Sequence, residues 1–447
     1  MGQTEQLEIT SLDTAFRQTW KGYLPLTKGS MLISKRAAYN QLYILQRNLP
    51  LSRNDLSVIV VSKDSAKYTQ YFIRNYIPIT TTEFQILPDA IIIGGYYNRV
   101  PVVIYYSFIT RKSRILPGLL NESGELTQVK VYPDGTFDVL ISAKNLNGIQ
   151  TIWIKNYDAS GELLRNYSLE PEGNKNLIFA RSLKINQDMH VVAGVYGARN
   201  SEYSRGLFIA SIDPAGIQQM RYYNFADLEN FFKYLKAKRE QRIKARIQRR
   251  KIKGKRIRFS YRFLVHEIVP YQEQYVLLGE AFYPKYITFD RGFYSGFFNP
   301  HTLGNGSSFT RDGRIFDGYY YTHAAVMGFD KDGNVIWDNS FEINDVKTFT
   351  LEQFVKLETQ SDKIALLYVY DNELRTKIIK GNEVLEGKAT EPIKTRSDSE
   401  IIDRENSNVT RLDYWYGKYF YAYGVQEITN SRSGKRKVFF INKVSYQ

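Results

Sequence analysis

Residues 324–333 read AAVMGFDKDG, an apolar run that ends in a turn of the form Asp-x-x-Gly. The same form recurs twice earlier, as Asp158-Ala-Ser-Gly161 and Asp213-Pro-Ala-Gly216, each time after an apolar run. An Asp side chain begins such turns by bonding to the backbone, and Gly supplies the positive φ at their exit. The recurrence predicts hairpins that join the third and fourth strands of a repeated sheet.

Seven strand-like runs recur along the chain, and each is followed by a loop and a second run rich in β-branched and aromatic residues. They are Gln41–Leu45, Ala90–Tyr97, Phe137–Ala143, Met189–Tyr196, Tyr275–Ala281, Lys363–Tyr370 and Tyr419–Gln426. The first four begin about 49, 47 and 52 residues apart, which is the period of a four-stranded propeller blade. Two later gaps of roughly 85 to 90 residues each contain an insertion, and the last gap is about 56 residues. The pattern predicts an all-β, seven-bladed β-propeller, with several β-sandwich domains as the alternative.

The two ends of the chain predict how the ring closes. The strands that the last repeat offers are Val409–Trp415, Tyr419–Gln426 and Lys437–Val444. This repeat is one strand short, and Leu7–Ser11 would supply the missing strand, because closed rings hide the unpaired edges of sheets. We therefore expect a single propeller domain over residues 1–447, with insertions at 224–258 and 283–321.

Nearly all of the net charge lies in the first insertion. The chain has a formal net charge of +15, and residues 233–258 contain fourteen Lys or Arg against one acid, Glu240. A segment this one-sided indicates a polyanionic partner, which is an acidic protein surface, an anionic lipid surface or nucleic acid. Nucleic acid is the least favoured of these, because no aromatic residue lies between Tyr234 and Phe259 to stack on bases.

The first insertion is predicted to begin as a helix. Asn224 is a suitable N-cap, and the apolar residues that follow at helical spacing are Phe225, Leu228, Phe231, Phe232 and Leu235. We expect this front half to pack on the propeller and the back half, up to a stop at Gly254, to be a solvated basic helix or arm. The alternative is a charged, exposed helix end that has no partner. The candidate partner-binding residues are Lys233, Lys236, Arg239, Arg242, Arg246, Arg249, Arg250, Lys253 and Arg256.

The second insertion is rich in Gly, Tyr and Phe and shows no helical period. Long aromatic loops on a rigid scaffold bind a partner or pack over the body. The candidate contact residues here are Tyr294, Phe297 and Phe298.

Local signatures of catalysis or metal binding are absent from the sequence. The chain has no Cys, which excludes disulfides, thiolate metal sites and a Cys nucleophile. Its four histidines are not spaced as a local metal site, and we expect structural roles for His190, His266, His301 and His323. Asp330-Lys-Asp332-Gly333-Asn334 is similar to the start of a calcium loop, but it lacks the later ligands and predicts a hairpin turn. We therefore predict no catalytic residue, no cofactor and no metal.

A hydrolase or lyase that acts on polysaccharide is the alternative function. It would draw paired carboxylates from separate strands, such as Glu280 and Asp317. Nucleophile-elbow, phosphate-loop and dinucleotide fingerprints do not occur in the sequence.

The start of the chain bears on its location. No run approaches eighteen apolar residues, so no helix is expected to cross a membrane. The opening Met1-Gly2-Gln3-Thr4-Glu5 has neither a basic nor an apolar signal region. This indicates either a cytosolic protein or a mature chain from which a signal has been removed.

Three phrases carry a resemblance to a known group. Residues 328–342, GFDKDGNVIWDNSFE, residues 206–213, GLFIASID, and residues 191–196, VVAGVY, are similar in style to the repeats of exported β-propeller proteins of Bacteroidota. Within that group, the helical insertion between blades resembles that of the soluble plug subunit of the type IX secretion translocon. The resemblance implies a periplasmic protein, associated with the outer membrane, that docks on a large barrel and closes its periplasmic mouth.

Overall fold

The computed structural model describes residues 4–27, 29–48, 54–75, 77–119, 123–185, 189–255, 257–288, 314–360, 362–395, 400–403, 409–430 and 434–445. Within these ranges, seven sheets follow one another after an N-terminal hairpin, so the fold is an all-β, seven-bladed β-propeller, as the repeat predicts. The chain divides into two compact units. The first contains Met1–Gly194 and Ile212–Gln218, and the second contains Val195–Ser211 and Gln219–Gln447. In the described part of the chain, no helix has the length and apolarity needed to cross a bilayer.

The chain begins with a hairpin of β1 (Thr4–Leu12) and β2 (Gln18–Thr27). These two strands form a sheet of their own, so the structure corrects the expectation that Leu7–Ser11 completes the last blade. The reason is local: the Asp13 carboxylate accepts the backbone N–H groups of Ala15 and Arg17 and fixes a tight turn. Pairing across a short turn costs much less loop-closure entropy than pairing with the far end of the chain.

Three complete blades follow the hairpin in the first unit. The strands of the first blade are β3 (Ser30–Ala38), β4 (Gln41–Asn48), β5 (Leu56–Ser62) and β6 (Tyr68–Ile73). Those of the second are β7 (Thr80–Ile86), β8 (Ala90–Tyr97), β9 (Val100–Ser107) and β10 (Ser113–Ile115). Those of the third are β11 (Gly124–Val131), β12 (Phe137–Lys144), β13 (Gln150–Tyr157) and β14 (Leu163–Leu169). Strands neighbouring in sequence pair within each blade.

The fourth blade shares its residues between the two units. Its strands, in pairing order, are β15 (Lys175–Lys184), β16 (His190–Ala198), β17 (Ser204–Ile212) and β18 (Gln218–Asn224). A single 3₁₀ turn, Phe225–Asp227, and one α-helix, α1 (Ala237–Ile252), come directly after it.

The last three blades belong to the second unit. The fifth contains β19 (Arg262–Val265), β20 (Val269–Tyr271), β21 (Gln274–Thr288), β22 (Arg314–Phe329), β23 (Val335–Glu342) and β24 (Lys347–Thr348). The sixth contains β25 (Lys356–Thr359), β26 (Ile364–Tyr370), β27 (Glu373–Lys380) and β28 (Glu383–Pro392). The seventh contains β29 (Ile401–Asp403), β30 (Val409–Tyr416), β31 (Tyr419–Asn430) and β32 (Gly434–Ser445).

Apolar faces of neighbouring blades pack against each other inside each unit. In the first unit, buried side chains of the first two blades form one cluster, and those of the second and third blades form another. In the second unit the fifth blade packs on the sixth and the sixth on the seventh. Leu24 of β2 is buried against Ile44 and Ile59, so the hairpin covers the remaining face of the first blade.

The three Asp-x-x-Gly turns join the third strand of a blade to its fourth, as predicted, after β13, β17 and β22. Asp330 shows the mechanism, because its Oδ1 accepts the backbone N–H groups of Asp332 at 2.9 Å and Asn334 at 2.8 Å. The closing glycines Gly161, Gly216 and Gly333 all have positive φ, between 79° and 85°. The segment similar to a calcium loop is therefore a hairpin turn, with Asp330 engaged by its own backbone.

Candidate partner-binding surface

The front half of the first insertion is buried, as predicted, but it is not a helix. Asn224 caps only the 3₁₀ turn, by accepting the N–H of Ala226 at 2.9 Å. Residues 228–236 then form bends and one turn, at 231–234. The helical spacing was misleading because an isolated helix of about eleven residues is marginal, and here tertiary bonds take its backbone N–H groups instead.

Those tertiary bonds come from Asp338 on β23. Its carboxylate accepts the N–H groups of Glu229 at 3.0 Å and Asn230 at 2.8 Å, and Asn230 Nδ2 donates to the Asp338 carbonyl oxygen at 2.9 Å. The Ser340 hydroxyl donates to the Asn230 carbonyl oxygen at 2.9 Å. Desolvation raises the pKa of the buried Asp338 carboxyl above its ordinary value, although its two N–H bonds oppose that effect.

Aromatic side chains hold the two ends of the insertion together. We define the aromatic anchor as Phe225, Phe231, Phe232, Tyr234, Phe259, Tyr261, Phe263 and His323. Phe231 lies at its centre, with its ring centroid 4.7 Å from Phe225 and 5.5 Å from Tyr261. Because one part of the anchor precedes α1 and another part follows it, the helix is tied to the fifth blade at both ends. Such ring pairs contribute about 0.5–1.5 kcal/mol each beyond the area they bury.

His323 of β22 packs against several rings of this anchor. The Tyr234 ring stacks on the imidazole at 3.7 Å and within 2° of parallel, and Phe231 meets it edge-on at 5.1 Å. His323 is 0% exposed, its Nδ1 lies 2.9 Å from the Thr322 hydroxyl, and its Nε2 has no hydrogen-bond partner among the described residues. Burial therefore lowers the pKa of His323 to about 3, so the ring is neutral at physiological pH.

The back half of the insertion is the helix α1, as predicted. Lys236 occupies the N-cap without a side-chain bond, and the helix ends where Gly254 takes a φ of 63°. The Gly254 N–H donates to the Lys251 carbonyl at 3.0 Å and the Lys255 N–H to that of Arg250 at 2.9 Å. This is the left-handed glycine stop that the sequence predicts. Cations in the last turn also complement the partial negative charge of the helix C-terminus.

One side of α1 carries cations that no acidic side chain of the described residues neutralises. We define the cationic stripe as Arg239, Arg242, Arg246, Arg249, Arg250 and Lys253. Their spacing of three or four residues places them on one exposed face. In the ranges that the structure describes, no acidic side chain lies within ion-pair distance of them. The two acids near α1 pair elsewhere, Glu240 with Lys244 at 2.7 Å and Asp227 with Lys251 at 3.1 Å.

The face of α1 next to the stripe contains the side chains that pack against the body. Ile247 is buried there and Ile243 is half-buried. Repulsion between cations three or four positions apart destabilises the helix by about 0.2–0.5 kcal/mol per pair. The stripe is thus held in place by the anchor and by Ile247 rather than by its own sequence.

The predicted contact residues fall into two groups. Eight of them are described and exposed: Lys233, Lys236, Arg239, Arg242, Arg246, Arg249, Arg250 and Lys253. Arg256, Tyr294, Phe297 and Phe298 lie outside the described residues. The described ends of the second insertion are strands, since Tyr286 pairs with Phe316 and Ile287 with Ile315 in an extension of β21 and β22.

Sequence reasoning missed the partners that fix the insertion. Asp338 lies 108 residues after Asn230, and His323 lies 89 residues after Tyr234, so no local pattern relates these pairs. The signal in the sequence was a charged or polar residue next to an apolar run, Asp338 after residues 335–337 and His323 before residues 324–327, because such a residue needs a partner when it is buried.

The two carboxylates suggested for the alternative enzyme do not share a site. Glu280 is buried, with Oε1 2.6 Å from His266 Nε2 and 2.9 Å from the Val355 N–H. Asp317 bonds to Lys347 Nζ at 2.6 Å and to the Tyr320 hydroxyl at 2.7 Å. These two bonds, of which the Lys347 bond is the larger cause, lower the pKa of Asp317 to about 2, which does not suit a general acid at neutral pH.

The described histidines have separate neighbours. His190 lies in the core of the first unit, with Nδ1 3.3 Å from Asp138 Oδ2, while His266 pairs with Glu280 and His323 lies in the anchor. His301 lies outside the described residues. Among the described residues, no three His, Asp or Glu side chains are grouped so that they could hold a metal ion.

The sequence matches no protein-family model and no curated protein. A solved prolyl endopeptidase is similar at a TM-score of 0.43 and 9% identity, over 94% of this chain and 50% of that one. The β-propeller domain of the Trilobed protease from Pyrococcus furiosus is similar at a TM-score of 0.40 and 10% identity, over 94% and 95% of the two chains. The polysaccharide lyase Uly1 is similar at a TM-score of 0.43 and 9% identity, over 92% and 89%.

This chain spans half the length of the prolyl endopeptidase. Identities and TM-scores this low carry no argument about function, and the matched structures include both enzymes and an isolated propeller domain.

Proposed function

We propose that this chain is a non-enzymatic binding propeller that docks on an acidic protein surface through the cationic stripe of α1. The observation that carries the proposal is the stripe itself: six cations on one exposed face, with no acidic side chain in reach among the described residues. A partner that supplies carboxylates would remove the like-charge repulsion and gain charge-assisted hydrogen bonds.

The anchor supports this function because it fixes the stripe in space before any partner arrives. Ordering a free basic arm on binding costs about 0.5–1.5 kcal/mol for each immobilised side chain, in addition to the backbone. A helix already tied at both ends avoids the backbone part of that cost. Charge on a fixed helix also steers the approach of an acidic partner at low salt.

In its finer form, the proposal identifies the partner as a large outer-membrane barrel and the chain as a periplasmic subunit. The chain would then cover the periplasmic mouth of the barrel, as the resemblance to the plug subunit of the type IX secretion translocon implies. A rigid propeller suits that role because the central channel of such a fold is narrow and is filled by side chains of the first strands.

The test compares two variants that remove the same charge from the same helix. Arg242→Gln/Arg246→Gln removes two members of the stripe, and the matched control Lys244→Gln/Lys251→Gln removes two cations that already have acidic partners. Tagged full-length chains are recovered from gently solubilised envelopes of the native cells, and the affinity for the recovered barrel is then measured after purification. We expect the stripe variant to bind at least about tenfold more weakly and the control to bind within about twofold of the intact chain.

Other results would overturn the proposal in different ways. Recovery of the chain alone, under conditions that preserve known envelope complexes, removes the barrel as partner. Equal weakening by both variants shows that only total charge matters. Binding to vesicles that contain phosphatidylglycerol, with a steep salt dependence and without a protein partner, would make the stripe a lipid-binding surface instead.

A further inference from the structure

Among the described residues, the seventh blade has no strand in the outer position that a fourth strand occupies in each of the other blades. Each of the first six blades has a fourth strand outside its third: β6, β10, β14, β18, β23 and β28. In the seventh blade, β30 and β29 pair with one side of β31, and β32 pairs with its other side. Among the described residues, no strand pairs with the outer edge of β32.

This edge differs from the natural outer edges of the other blades. Outer strands of propellers are protected from further pairing by shortness, bulges or charge. The strand β10 has only three residues, and β28 has two register shifts and four charged residues. The strand β32 also has four cations, Lys435, Arg436, Lys437 and Lys443, but its twelve residues pair with β31 without a register shift, and its middle, residues 438–442, reads VFFIN.

A groove lies beside this edge. It has a volume of about 510 Å³ and lies over the face that β31 and β32 share. Its lining comes from Gln426 and Ile428 of β31, from Arg436 and residues 438–442 of β32, and from Lys394, Thr395 and Glu400 on the other side. Phe439 projects from the opposite face of the strand and is 67% exposed. A strand added to β32 would direct alternate side chains to the face that carries the groove and the others to the face that carries Phe439, because side chains alternate along a strand.

Charge at the edge indicates what that strand carries. Two cations of β32 already have acidic partners: Lys435 pairs with Asp403 at 2.8 Å, and Arg436 pairs with Glu400 at 2.7 Å. Lys437 on β32 and Lys394 at the groove have no acid within ion-pair distance in the described ranges. Both are exposed. An incoming strand with acidic residues would complement these two cations.

We propose that the free edge of β32 binds an extended, acidic segment of a partner protein as an added β-strand. Backbone hydrogen bonds supply the affinity, and the groove and Lys437 select alternating apolar and acidic side chains. This surface is independent of the cationic stripe on α1, so either proposal can fail while the other stands.

A synthetic peptide with the sequence of residues 4–12, TEQLEITSL, serves as the probe, because it alternates apolar Leu7 and Ile9 with acidic Glu8. Its binding to the full chain is measured by fluorescence anisotropy and located by hydrogen exchange. We expect protection of about half the amides of Gly434–Ser445, since alternate residues of a strand direct their N–H groups to each side. A control peptide with both glutamates replaced by lysine should bind at least about tenfold more weakly.

A pair of protein variants locates the contact. Lys437→Glu, on β32, should weaken binding of the peptide at least about tenfold. Lys331→Glu changes another exposed lysine, in a hairpin turn, and should leave the affinity for the peptide within about twofold. Neither side chain is buried, so both variants are expected to fold.

Four results overturn the proposal. They are no protection at millimolar peptide, protection of Gln18–Thr27 instead of Gly434–Ser445, equal effects of the two variants, and slow exchange along the whole of β32 before peptide is added. If dilution dissociates a dimer and also abolishes the slow exchange, a second copy of the chain occupies the edge. If the slow exchange persists on dilution, the chain covers its own edge.

Discussion

The aromatic anchor and the cationic stripe belong to the same insertion, but the anchor is buried and the stripe is exposed. The anchor buries Phe225, Phe231 and Phe232 almost completely and keeps His323 neutral. The stripe exposes every one of its charges and uses no described acid of the chain. The difference shows that the two halves have separate tasks, since the anchor supplies order and the stripe supplies charge for a contact elsewhere.

The same difference explains which changes should matter for folding. Removing an anchor side chain leaves a cavity and unsatisfied groups in a dry interior, whereas removing a stripe charge relieves repulsion in water. Measurements of the unfolding free energy can therefore separate the two regions, from the largest effect to the smallest.

The largest effect is expected for Phe231→Ala. Phe231 is fully buried and contacts other aromatic rings on several sides, so its loss should lower the unfolding free energy by about 3–5 kcal/mol. Denaturant unfolding measures this change. The matched control is Phe349→Ala, at a side chain that is 70% exposed, which should change the unfolding free energy by less than about 0.5 kcal/mol. Equal effects would show that the anchor does not carry stability.

A pH effect of intermediate size is expected from His323. Its pKa is about 3 in the folded chain and about 6.5 when unfolded, so the unfolded chain binds the proton more tightly. The contribution of His323 to the unfolding free energy is therefore fully present above pH 6.5 and declines as the pH falls towards 3. Between pH 7 and pH 5 the unfolding free energy should drop by about 2 kcal/mol.

The control for this prediction is His323→Phe, which keeps an aromatic ring beside Tyr234 and has no proton to bind. Its unfolding free energy should fall by about 2 kcal/mol less than that of the intact chain over the same pH range. Parallel curves for the two proteins would contradict the assignment.

A smaller and more local effect is expected for Gly254→Ala at the end of α1. An added Cβ meets nothing within 4 Å, so the cost is only that of a left-handed conformation, about 1 kcal/mol. Hydrogen exchange in the last turn, residues 249–252, should become faster while exchange in β21 and β22 stays the same. Faster exchange in those strands as well would show that α1 and the fifth blade open together.

The smallest effect on stability is expected for Arg246→Gln. This change removes a cation that faces Arg242, Arg249 and Arg250 along the helix, so the unfolding free energy should rise by up to about 0.5 kcal/mol at low salt. The gain should shrink at 0.5 M salt, because exposed charges are then screened. A loss of more than about 1 kcal/mol would mean that Arg246 has a structural role.

The features predicted correctly are those fixed by residues close together in sequence. Asp330 and Gly333 define a turn within four residues, Gly254 ends a helix within one turn, and the blade period repeats about every fifty residues. The prediction of a helix in the front half of the first insertion was wrong, because Asp338, far along the chain, takes the N–H groups that a helix would use. The prediction that Leu7–Ser11 completes the last blade was wrong, because a local hairpin competes with pairing to a distant strand.

By itself, the sequence determined the blade count, the hairpin turns, the charge of α1 and the strand missing from the last repeat. Each of these depends on local geometry or composition. Only the tertiary structure decided that His323 and Asp338 hold the insertion, that the stripe meets no acid in the described chain, and that no described strand pairs with the long outer edge of β32. These are contacts between residues distant in sequence, and they exist only once neighbouring blades pack and exclude water from the surfaces between them.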